Sequence, residues 1–141
     1  MKKMMRLSLF VVLAVFLVSG PAAFAQISQT DIETLKKSAP KVYIDCGICD
    51  IEYIKTEITF VNYVRDRKEA EVHILITTQS TGGGGREYTL SFSGQNEFLG
   101  VDDTVKYFSN QTDTEDEVRK GLVKTIKMGL MTYVAKRPIF F

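Results

Sequence analysis

One histidine, two cysteines and three prolines in 141 residues leave little material for the commoner catalytic and metal sites. A Ser-His-Asp or Cys-His arrangement would have to use His73, which sits in an alternating segment that reads as a sheet strand. Two Cys with that single His are too few for an intramolecular zinc site. The charge has no excess of one sign. Three of the 18 basic residues and none of the 17 acidic ones lie in the first 25 positions, so the remainder carries two more acids than bases. That balance gives no basic footprint for nucleic acid. Carboxylates are plentiful, yet Asp113, Glu115, Asp116 and Glu117 read as the start of a helix and Asp102-Asp103 as a turn. No catalytic residue, cofactor or metal is therefore assigned, and the balance is against an enzyme without closing the question.

What is present begins with an export signal. Lys2, Lys3 and Arg6 precede a nearly unbroken apolar run from Leu7 to Val18, Gly20-Pro21 ends any helix there, and Ala23-Phe24-Ala25 is a small-x-small cleavage pattern. The run is shorter than the roughly 20 residues that span a bilayer, so no transmembrane helix is expected in the mature chain. No Cys follows the cleavage pattern, so lipid attachment at a new N-terminal Cys is not indicated. Removing 25 of 141 residues leaves 116, enough for one domain with a core and too few for two. The boundaries expected are a signal at 1–25, a polar lead at 26–40, a single α+β periplasmic domain at 41–138 and a C-terminal tail at 139–141.

The polar lead contains a short helical stretch at 31–37, and residues 41–45, rich in β-branched and aromatic side chains, form a strand. Asp50 then caps a helix in which Ile51, Ile54, Ile58 and Val61 recur at three-to-four spacing, running on towards Val64 before the charged turn at 65–69. Residues 71–78 and 86–93 alternate as strands, with His73, Thr77, Thr89, Ser91 and Ser93 on a semi-polar outward face. Between them, Gly82, Gly83, Gly84 and Gly85 form a hairpin loop with positive φ angles. A phosphate cradle is disfavoured, because neither a Lys-Ser/Thr pair nor a helix follows the glycines. A further strand covers 103–108. Thr114 to Glu117 fits a capping box opening a helix that runs to about residue 136, where Lys136 and Arg137 suit its negative end. Gly121, Thr125 and Gly129 make a strip of small residues along this helix, against either the chain's own sheet or a partner helix or subunit. The expected fold class is α+β: a small antiparallel or mixed sheet with two main helices packed on one face, in the order β-α-β-β-β-α.

The feature nearest to chemistry is Cys46-Gly47-Ile48-Cys49, at a strand-to-helix junction. In an exported protein the pair is expected to form a small disulfide. The alternative is thiol-disulfide exchange, with the helix N-terminus stabilising the first thiolate. Against exchange, Asp45 and Asp50 bracket the pair with negative charge, and Pro40 and Pro138 do not lie where a thioredoxin-like enzyme places its proline loop. Position 50 is Asp rather than His, which excludes haem attachment of the C-x-x-C-H type.

The strings Val42-Tyr43-Ile44-Asp45-Cys46-Gly47-Ile48-Cys49-Asp50, residues 57–67 and residues 70–77, extended by Asp102-Asp103-Thr104 and residues 112–119, resemble the N-terminal periplasmic region of uncharacterised bacterial outer-membrane β-barrel proteins. The element order is similar to the small α+β domain of TolB and of curli-channel-type envelope proteins. The resemblance implies placement in the periplasm or at the outer membrane, with an envelope protein or barrel as partner and no catalytic residues to carry over. Members of that family would continue into many amphipathic strands, whereas this chain stops at Ile139-Phe140-Phe141, the mark of a truncated product or a short stand-alone relative. The function expected is a non-enzymatic binding or assembly domain of the envelope, with homo-oligomerisation open.

Overall fold

The computed structural model describes residues 29–137; the segment expected to be an export signal with its cleavage pattern, and the expected tail at 139–141, lie outside the described residues. The elements are α1 (Gln29–Ser38), β1 (Lys41–Asp45), α2 (Ile51–Glu57), β2 (Asn62–Tyr63), β3 (Val72–Ser80), β4 (Arg86–Gly94), β5 (Asp102–Ser109) and α3 (Glu115–Val134). They form an α+β structure around one five-stranded mixed sheet in the order β2-β1-β3-β4-β5. β1 runs parallel to both β2 and β3, and the remaining pairs are antiparallel.

This corrects the expected order β-α-β-β-β-α in two places. The short helical stretch expected at 31–37 is a full α-helix, α1, so three α-helices stand where two main ones were expected on one face, and the helix expected to continue towards Val64 stops at Glu57. The reason lies in residues 58–64. Ile58 is extended at φ −118°, ψ 92°, and the Asn62 and Val64 amides donate to Pro40 O and Val42 O at 2.9 and 3.0 Å. The β-branched and aromatic residues there match the helical period, but they join β1 as a short parallel edge instead.

Alternation places Val72, Ile74 and Ile76 of β3 beside Leu90 and Phe92 of β4 on the core face, with Val42 of β1 next to Val72. The helices supply Ile54 from α2 and Leu122, Ile126, Leu130 and Tyr133 from α3 to the same buried cluster. Tyr133 is wholly buried, and its hydroxyl donates to Val101 O at 2.7 Å, satisfying a polar atom that burial would otherwise strand. The α3 start is a capping box: Thr114 Oγ1 accepts from Glu117 N at 3.2 Å, and Glu117 Oε2 accepts from Thr114 N at 2.8 Å.

On the opposite sheet face Thr77 and Ser93 are exposed, whereas His73 is a correction: it is only 5% exposed. Tyr43 stands beside it, with ring centroids 5.6 Å apart. Its Nε2 has no hydrogen-bond partner and lies 3.7 Å from Asp45 Oδ2, too far for a hydrogen bond. Burial, reinforced by the Arg67 charge, holds the His73 pKa below the ordinary histidine range against the opposing pull of Asp45. The unfolded chain therefore binds this proton more readily than the folded one. The His73 contribution to stability is full above about pH 6.5 and declines as pH falls through the depressed folded value. Urea melts of wild type and His73→Leu between pH 7.5 and 5 should show that slope flattened in the variant; equal slopes would remove His73 as its source.

Candidate functional site

The Cys46–Cys49 disulfide closes the turn between β1 and α2, with Cα atoms 5.6 Å apart. Both cysteines precede the helix, and one free amide of its first turn is already engaged: the Asp50 carboxylate accepts from Tyr53 N at 3.0 Å. The helix end thus carries a capping carboxylate of its own, whose negative charge opposes a neighbouring thiolate. Because the ring encloses only four residues, its loss should cost about 2 kcal/mol on chain-entropy grounds. The Cys46→Ser/Cys49→Ser variant should then melt roughly 5–10 °C lower while remaining folded. Thermal denaturation followed by circular dichroism checks this, and an unfolded variant would make the disulfide a condition of folding.

Two other segments come up beside the disulfide turn. The hairpin glycines connect β3 to β4, and of the four only Gly84 has a positive φ, at 82°. Gly85 serves a different need: a Cβ there would fall 2.0 Å from the Ser109 carbonyl, so β5 closes against bare backbone. Gly82 and Gly83 have open space around them. After β5, Asp113 accepts from both the backbone and the side-chain amide of Asn110, at 2.8 and 3.3 Å, and the chain turns into α3.

Between these segments is a cleft of about 960 Å³. Its floor includes the buried residues Tyr88 and Leu122, and its rim carries Asp50, Arg86, Asn110, Gln111, Glu115 and Arg119. Arg119 braces two of the walls. It bonds Asp116 at 2.6 Å, lies 3.9 Å from Asp50 and covers the Tyr53 ring at 4.3 Å. Hydrogen bonds from Lys120 and Arg119 hold the Asp116 carboxyl below its ordinary range. The cleft offers donors, acceptors and both charge signs on fixed backbone, an arrangement suited to holding a polar ligand. Among the described residues no group of three or more His, Cys, Asp or Glu is placed to hold a metal ion, and no helix is long and apolar enough to cross a membrane.

The strip Gly121, Thr125 and Gly129 does not offer itself to a partner. Cβ atoms built on Gly121 and Gly129 would fall 2.2 Å from the rings of Tyr107 and Phe92, and Thr125 is buried with its hydroxyl donating to Gly121 O at 2.9 Å. The close approach is to the chain's own sheet. Sequence reasoning missed Arg86, Asn110, Gln111 and Arg119 as neighbours of the disulfide. The segments that carry them are remote from it in sequence, and no local spacing marks their convergence. The chain matches no protein-family model, and no curated protein was found similar to it.

Proposed function

We propose that this chain is an exported, non-enzymatic binding or assembly domain of the bacterial envelope that engages a polar partner segment in the cleft beside its disulfide. One observation carries the reading. Three remote segments form the cleft walls, and each is held independently: by the disulfide, by the close contact of Gly85 with Ser109, and by the Thr114 capping box. Prior rigidity of this kind lowers the ordering cost of binding. The pattern of residues 1–25 and a disulfide compatible with an oxidising compartment support export. Thiol-disulfide exchange has the strand-to-helix placement of the pair in its favour, but the Asp50 carboxylate at the helix end gives a thiolate no support.

Fractionation of cells with an antibody to the domain, combined with thiol alkylation before and after reduction, tests this. The expected band lacks the mass of residues 1–25, lies in the periplasmic or outer-membrane fraction and takes up alkylating reagent only after reduction. A much larger outer-membrane band would identify the domain as part of a barrel protein. An unprocessed cytosolic band with free thiols would overturn the reading.

A further inference from the structure

A second concavity, of about 450 Å³, runs between α2 and α3. Arg119 lines the cleft and Tyr53 lines this groove, so their stacked pair stands between the two. The groove floor is apolar. Met128 and Met131 are 52% and 47% exposed, next to Val123 and the Tyr53 ring. Its α3 rim is basic: Lys120, Lys124 and Lys127 recur at i, i+4 and i+7 on one side of the helix. Lys120 is engaged by Asp116 at 2.5 Å, whereas Lys124 and Lys127 have no ion-pair partner among the described residues. The α2 rim carries the opposite sign, in Glu57.

We propose that this groove docks an acidic amphipathic helix of a partner protein. The span from Lys120 to Met131 is about 16 Å at the helical rise, which matches roughly three turns of a docked helix. Apolar side chains at i, i+3 or i+4 and i+7 of that helix lie on the methionines, whose flexible thioethers conform to such a surface. Acidic residues on one flank meet Lys124 and Lys127, and a basic residue on the other meets Glu57. The asymmetry of the rims selects this occupant over two others. A second copy of the chain using the same groove brings three lysines and a single glutamate to a groove that already carries that positive excess. An anionic bilayer meets the lysines but, being flat, leaves the groove unfilled and Glu57 without a partner.

The inference goes beyond the cleft reading and is tested separately from it. The probe is a fluorescent helical peptide of about 14 residues with leucines on one face and glutamates along one flank. Its counterpart has lysines in place of the glutamates. Fluorescence anisotropy with the domain should give micromolar binding of the glutamate peptide, weakened by salt and at least about tenfold weaker for the lysine peptide. The double variant Lys124→Glu/Lys127→Glu should reverse that preference, and Met128→Ser/Met131→Ser should weaken both peptides. Unchanged thermal melts keep these losses from being read as unfolding. Equal affinity for the two peptides, indifference to the lysine variant, or association only with phosphatidylglycerol vesicles would overturn the proposal.

Discussion

Gly129→Ala should lower stability by about 3 kcal/mol, whereas Gly121→Ala, eight residues earlier on the same helix, should stay within about 1 kcal/mol of wild type. The two glycines look equivalent by distance, since an added Cβ falls 2.2 Å from an aromatic ring at each. They differ in what can yield. Phe92 is 1% exposed, faces Tyr133 across the core and cannot swing away without opening a void. The atoms met at Gly121 are the outer end of the half-buried Tyr107 ring, which can tilt towards solvent. Each alanine gains about 1 kcal/mol of helix propensity, which offsets the smaller disturbance at Gly121 and only part of the larger one at Gly129. Urea unfolding of both variants decides the matter. Adding Phe92→Leu to Gly129→Ala should recover part of the loss, because the atoms that clash are then gone. Similar costs at the two positions would show that the helix can shift as a body over the sheet.

Arg137→Met should cost about 3 kcal/mol and remove much of the acid sensitivity of the fold. Arg137 follows the end of α3 and reaches two carboxylates: Glu71, and Glu97 at 2.7 Å. Its guanidinium also lies 5.1 Å from the centre of the Phe98 ring. Glu71 accepts in addition from the Lys41 backbone amide at 2.9 Å, so one carboxylate joins the segment after α3 to the first strand. Burial pushes the Glu71 pKa up, but the Arg137 hydrogen bond, the Lys41 amide and their charges outweigh it and hold the group below its ordinary value. The sign follows from that depression. The Glu71 contribution is full above the unfolded carboxylate value, about 4.3, and is lost as pH falls through the lower folded value. Methionine keeps an apolar stem for Phe98 while removing the charge, so the variant should lose stability at pH 7 and show a flatter decline below pH 4.5. Parallel acid-induced melts of the two proteins would refute the link between Arg137 and Glu71.

The elements read correctly from sequence are those whose causes are local. Period-two alternation marked β3 and β4, the glycine run marked their connection, and Thr114 to Glu117 marked the start of α3 within a residue. The spacing of Cys46 and Cys49 gave a pair close enough to bridge. Residues 58–64 were misread for an equally physical reason. Their apolar spacing fits a helix, and only the hydrogen bonds offered by Pro40 and Val42 across the fold turn them into an edge strand.

By itself the sequence determined an α+β class, a disulfide-forming pair and a long capped helix, because each depends on neighbours within a few positions. Tertiary structure alone decided which groups meet. It buried His73 on the face expected to be solvated, filled the glycine strip with Phe92 and Tyr107, and brought Arg137 to Glu71 across 66 positions. It also set a cleft and a groove on either side of the Arg119–Tyr53 pair. Such meetings depend on loop closure and on the packing of a helix over a sheet, and no residue's local pattern encodes what will lie opposite it.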